Sequence, residues 1–177
     1  MLFDLFRVAW YKAETADGDW KFFSSYLLGS LSLTCPDFDP HKFDAGNTAV
    51  AAAAELLAAQ FNCAAEEKPF LIVLDDLHAV FDADWFPEFF SSFVPTLAPT
   101  IHLLMIARTL PPLQFWRLRS KQVLGVMDEK LLIFNLEETK QFFRRHQLPA
   151  TSARSAHKRA YGRIAKLEEI IKKNSFA

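Results

Sequence analysis

The chain has 177 residues, a length that suits one domain with room for a tail and a sizeable core. Its composition, 51% hydrophobic and 14% aromatic with 18 phenylalanines, excludes a disordered chain, and a net charge of -1 names no class of partner. That balance hides an asymmetry. Nine of the 20 Lys/Arg but only two of the 21 Asp/Glu fall from Arg144 onward, which leaves the preceding residues near -8 and the tail near +7.

The first element in chain order is "RVAWYKA", a β-branched and aromatic run that predicts a strand from Arg7 to Lys12. "ETADGD" follows as a turn. "DWKFFSSYLLGSLS" then places Trp20, Phe23, Leu27 and Leu31 on one helical face, with Asp19 available as N-cap. "CPDFDPHKFDAGN" is a loop, marked by Pro36, Pro40 and Gly46. Thr48 to Cys63 is alanine-rich and helical, and Lys68 and Pro69 end it.

"FLIVLDD", from Phe70, is a continuous apolar run without alternation, so a strand buried on both faces is expected, as in a parallel sheet covered by helices. "DADWFPEFFSSFVPTL" predicts a helix with Pro87 in its first turn. "IHLLMIAR" is a second continuous strand, and "TLPPLQFWRLRSK" a loop entering a short helix. "VLGV" and "LLIF" read as two short strands around a turn at Met127 to Lys130. Asn135 and Glu138 have the spacing of a capping box for the helix "LEETKQFFRRHQL". In the tail, Tyr161, Ile164, Leu167 and Ile171 sit at helical spacing with basic residues opposite.

Alternating strands and helices indicate an α/β layered fold with a mostly parallel sheet. Parallel neighbours bring their carboxyl ends to one edge, where such sheets bind ligands. Asp75, Asp76 and Arg108 all fall at predicted carboxyl ends. Two adjacent carboxylates repel and are not left in an apolar interior without a counter-charge, so either this strand end meets water or a positive group sits there. An apolar strand ending in Asp-Asp has the form of a Walker B element. On that reading Asp75 holds the water shell of a nucleotide-bound Mg²⁺, Asp76 orients or polarises the attacking water, and Arg108 senses the γ-phosphate. The plainer alternatives remain open: a solvated strand end for Asp75 and Arg108, a turn cap for Asp76, and a packing or surface role for His78.

The order of segments resembles the signal-transduction ATPases with numerous domains (STAND), in particular the large LuxR-type transcriptional activators of the maltose-activator kind. The segments that carry this are "VAWYKAETADGDWKFFSSYLLGSL", "FLIVLDDLH", "IHLLMIARTLPPLQFWRLRSK" with Leu118 and Arg119, and "LLIFNLEETKQFF", over about residues 7 to 148. The resemblance implies a three-layer, P-loop NTPase-like sheet, incomplete at its N-terminus, over residues 1–148, and a basic helical tail over 149–177. It implies ATP and Mg²⁺ as family cofactors, and ATP acting as a switch with slow hydrolysis.

The chain departs from the family pattern in two ways. A phosphate cradle needs G-x-x-x-x-G-K-[ST], and none of Gly18, Gly29, Gly46, Gly125 and Gly162 stands in that spacing. The family also continues into a winged-helix region, helical repeats and a DNA-binding helix-turn-helix, whereas this chain stops after its basic tail. The expectation is therefore a nucleotide-switch portion of a transcriptional regulator, with ATP binding by this chain weak or absent. Its expected partners are the missing N-terminal P-loop segment or another protein chain, with homo-oligomers possible and DNA reached only through domains not present.

A nucleotide-independent protein-interaction module is the alternative, and a Mg²⁺-dependent hydrolase resting on the Asp pair alone ranks last. For the tail, a terminal helix docked on the acidic body is favoured over a nucleic-acid-binding one. Cys35 and Cys63 lack metal spacing and read as reduced thiols, and no run reaches membrane-spanning length, so a cytoplasmic location without membrane contact is expected.

Overall fold

A computed structural model describes residues 5–32, 48–65, 68–120 and 123–174. The chain divides into two compact units, Met1–Gln114 and Phe115–Ala177. The charge asymmetry follows this division: the first unit holds 6 of the 20 Lys/Arg and 15 of the 21 Asp/Glu.

The first unit is built on three strands, β1 (Arg7–Lys12), β2 (Phe70–Asp75) and β3 (Ile101–Met105). They lie in the order β1-β2-β3, and both pairings are parallel. β1 is followed by a 3-10 turn (Thr15–Gly18), α1 (Trp20–Ser32) and α2 (Val50–Ala64), while β2 is followed by a 3-10 turn (Leu77–Val80) and α3 (Trp85–Thr96). The loop expected around Cys35, Pro36, Pro40 and Gly46 lies outside the described residues.

Strand alternation decides which side of the sheet is packed. Ala9 and Tyr11 of β1, Phe70, Ile72 and Leu74 of β2, and Ile101, Leu103 and Met105 of β3 share one face and one core. α1 contributes Phe23, Leu27 and Leu28 to it, α2 Leu57 and Phe61, and α3 Phe86, Phe89, Phe90 and Phe93. The opposite face carries Val8, Trp10, Leu71, Val73 and Leu104, none of them part of that cluster. Of these, Val73 is buried and Trp10 is 54% exposed. Within this unit the described helices form one layer on the sheet, so two of the three expected layers are present there.

The aromatic content has a clear use. Trp85 stacks on Phe23 at 4.2 Å between ring centroids, and Phe89 on Phe93 at 5.1 Å. Trp20 and Phe90 pack against Phe89 at tilted and edge-on angles. Such ring pairs add to the burial of their area and lock α1 to α3. Polar ties fix the ends: the Trp85 indole N–H donates to the Gly18 carbonyl at 3.0 Å, and Asn62 on α2 bridges Thr96 and Ala98 beyond α3.

The second unit contains α4 (Trp116–Ser120), α5 (Glu129–Leu132), α6 (Leu136–Arg145), α7 (Ala150–Ala160) and α8 (Ile164–Asn174). Its core is Phe143, Ala153, Ala156, Ala160, Leu167 and Ile171. The Asn135–Glu138 capping box forms in both directions, at 2.9 and 2.8 Å. Two expectations change here. "VLGV" and "LLIF" are not strands: 123–128 is irregular, and α5 takes in Leu131 and Leu132, nucleated by Asp128, whose carboxylate accepts from the backbones of Lys130 and Leu131. The tail forms two helices rather than one. Tyr161 adopts left-handed backbone (φ 52°) at the end of α7, and Gly162 (φ 71°) turns the chain into α8. Tyr161 is therefore 74% exposed, while Leu167 and Ile171 of the expected stripe are buried.

Candidate functional site at the carboxyl edge

The parallel register places the last residue of β1, Lys12, beside the last residue of β2, Asp75. The pairing continues past the strand ends. The Ala13 N–H donates to the Asp75 carbonyl at 2.8 Å, the Ile106 N–H to the Leu74 carbonyl at 2.8 Å, and the Leu77 N–H to the Ile106 carbonyl at 3.0 Å. These bonds stitch the three loops that follow the strands into one rim. An open groove of about 470 Å³ lies there, lined by Lys12 to Ala16 from the first loop, Asp76, His78 and Ala79 from the second, and Arg108 from the third.

The structure thus brings two of the three sequence-derived site residues, Asp76 and Arg108, into one groove wall. Arg108 stands three residues beyond the end of β3, not on the strand itself, and is exposed. It makes no ion pair among the described residues. Asp75, beside Asp76, is half-buried and does not line the groove; its carboxylate accepts the Asp76 N–H at 2.9 Å. Asp76 itself has left-handed backbone (φ 50°), a conformation that aspartate tolerates better than most residues. Its carbonyl accepts from Ala79, which closes the 3-10 turn.

Sequence reasoning missed Lys12. Its Nζ lies 3.3 Å from Asp76 Oδ2, with the two side chains 62% and 39% exposed. This supplies the positive group that the Asp-Asp strand end requires. Nothing in the spacing announces it, because the pair exists only once β1 and β2 are parallel neighbours in this register. His78 Nδ1 lies 4.0 Å from Asp76 Oδ1, too far for a hydrogen bond, and that nitrogen is buried without a partner.

The first 3-10 turn supplies part of the groove lining through Thr15 and Ala16. Glu14 and Asp17 form a capping box, with the Glu14 N–H donating to Asp17 Oδ2 at 2.7 Å. Asp17 is buried and takes the Tyr11 hydroxyl as a further partner. Burial, and then this carboxylate, hold the Tyr11 phenol well above its ordinary pKa. No group of three or more His, Cys, Asp or Glu among the described residues is placed to hold a metal ion. The two acids and two cations of the groove therefore suit a metal ion only together with ligand oxygens that a bound molecule brings.

The first unit is thus a mixed α/β arrangement with a three-stranded parallel sheet, and charged side chains gather at its carboxyl edge, the edge where open α/β sheets bind ligands. The sequence comparisons are narrower. No family model matches the chain. It is 28% identical over 138 residues to the HTH-type transcriptional regulator MalT of Serratia proteamaculans and, over the same length, to that of Yersinia enterocolitica. It is 26% identical over 165 residues to MalT of Vibrio cholerae. The matches cover 77–88% of this chain, but the chain spans only 15–17% of the length of these relatives. The chain is thus similar to one part of a much longer HTH-type transcriptional regulator. No helix among the described residues is long and apolar enough to cross a membrane.

Proposed function

We propose that the chain is the nucleotide-switch portion of a STAND, LuxR-type transcriptional regulator with a P-loop NTPase-like core. The observation that supports this is the shared groove of Asp76 and Arg108 at the carboxyl edge of a parallel sheet, in a chain similar to MalT over most of its length. Arg108 binds the terminal phosphate of ATP as a planar donor fork. Asp75 orders the water shell of the accompanying Mg²⁺, and Asp76 orients water towards the phosphate.

None of the 177 residues forms a G-x-x-x-x-G-K-[ST] loop, so the phosphates lack backbone amides and the loop lysine. Two charge-assisted contacts supply about 3–6 kcal/mol between them. That range brackets the roughly 4 kcal/mol of a millimolar complex, so this chain by itself holds Mg²⁺–ATP weakly. Tight binding requires a further protein segment that carries the cradle.

Isothermal titration tests this. Wild type takes up Mg²⁺–ATP with weak affinity, and Arg108→Ala and Asp75→Asn reduce it, since these two carry the phosphate contact and the Mg²⁺ shell. Low-micromolar binding, or binding indifferent to both substitutions, contradicts the proposal.

A second reading, a nucleotide-independent interaction module, is favoured by one observation: Trp10 is 54% exposed on the sheet face opposite the α1–α3 core. Under it, substitution of Trp10 abolishes partner capture, and Mg²⁺–ATP leaves capture unchanged.

A further inference from the structure

The groove is lined by both signs of charge: Lys12 and Arg108, Glu14 and Asp76. A simple anion would meet the two carboxylates, and a simple cation the ammonium and guanidinium. A ligand that itself carries both signs, a divalent cation chelated by a polyphosphate, satisfies all four. We infer that Lys12 is a phosphate-contacting residue of this groove, which it shares with Arg108, and that its pair with Asp76 is the resting arrangement that the ligand replaces.

Three observations carry this. Lys12 is placed by strand register rather than by a mobile segment, since its backbone ends β1 beside Asp75. Its side chain is 62% exposed at 3.3 Å from Asp76, so the pair is a solvated one, weak enough to exchange partners. With a hydrated cation whose shell Asp75 orders, the neighbouring Asp76 carboxylate would turn to that bound water and release the ammonium at the same rim to a phosphate oxygen, so that both charges stay compensated. Arg108, uncommitted to any ion pair among the described residues, takes a second phosphate oxygen from the loop after β3. The inference rests on the nucleotide reading for the identity of the ligand, but not for the site.

The test uses the full 177-residue chain and two probes, Mg²⁺–tripolyphosphate and Mg²⁺–ATP, with binding followed by isothermal titration or amide shifts. Wild type binds both, more weakly as salt rises. Lys12→Ala weakens both about tenfold or more, Arg108→Ala does the same, and Lys12→Arg restores most of the loss. Omission of Mg²⁺ weakens tripolyphosphate binding, because the carboxylates then face the phosphates alone. If Lys12→Ala binds as wild type does while Arg108→Ala fails, the role of Lys12 is overturned and the nucleotide reading stands. If tripolyphosphate binds through Lys12 and ATP binds no better, this inference stands and the nucleotide reading falls. If neither probe binds wild type, both are overturned.

Discussion

The ammonium of Lys12 lies 3.3 Å from a carboxylate oxygen of Asp76, so the end of β1 and the first residue after β2 meet across the rim of the sheet. The pair answers an electrostatic requirement that the sequence poses, a strand directed at two adjacent acids. It is also a weak pair, with both partners solvated. Lys12→Ala is therefore expected to change unfolding free energy by no more than about 1 kcal/mol in urea titrations. A larger loss would show that Lys12 supports the fold, and binding defects of the variant would then lose their meaning.

The core of the first unit is expected to be far less tolerant. Phe89 is fully buried among Trp20, Phe23, Trp85, Phe90 and Phe93. Phe89→Ala should cost about 3–5 kcal/mol, from lost burial plus the cavity left behind. Trp10→Ala, at a half-exposed position on the other sheet face, should cost much less. Chemical denaturation of the two variants side by side checks the contrast; equal losses would mean that the Trp10 face is packed as tightly as the other.

These parts of the fold were readable for a physical reason. Continuous apolar runs at Phe70 and Ile101 demand burial, and burial of parallel strands demands helices between them. The Asn135–Glu138 spacing likewise carries its own hydrogen bonds. "LLIF" was not readable, because four apolar residues show no period that separates helix from strand. There the Asp128 cap decided in favour of helix. The break in the tail was signalled by Gly162, but a stripe of apolar residues drawn through Tyr161 concealed it. The groove was half legible. Asp76 and Arg108 announce themselves as charged ends of apolar strands, whereas Lys12 acquires meaning only from the register of β1 on β2.

Gly162 is expected to resist substitution. Its backbone is left-handed (φ 71°), and a β-carbon there would collide with the Phe134 carbonyl oxygen and the Ile133 side chain. Its own carbonyl accepts the Phe134 N–H at 2.9 Å. Gly162→Ala should cost more than the roughly 1 kcal/mol expected for Asn135→Ala, which removes only a helix cap. Thermal melts of the two variants give the order, and a silent Gly162→Ala would contradict this turn.

The Tyr11 phenol gives the first unit a sign-defined alkaline sensitivity. Burial, then the hydrogen bond and charge of Asp17, raise its pKa above the ordinary value near 10. The folded state keeps a proton that the unfolded state releases. The contribution is therefore full below about pH 10 and is lost as pH rises beyond it. Wild type should lose stability between pH 8 and pH 11, and Tyr11→Phe should lose less over the same interval, as read from urea midpoints. Parallel losses would show that the phenol ionises alike in both states.

In the proposed function, a metal–nucleotide binds in the groove lined by Lys12 to Ala16, Asp76, His78, Ala79 and Arg108. Amide chemical shifts of the labelled chain, followed during titration with Mg²⁺–ATP, test it most directly because they locate even a weak complex. Shifts are expected at Ala13 to Ala16, at Asp76 to Ala79 and at Arg108, saturating only near millimolar ligand. Shifts that cluster elsewhere, or a spectrum unchanged at several times that concentration, would contradict it.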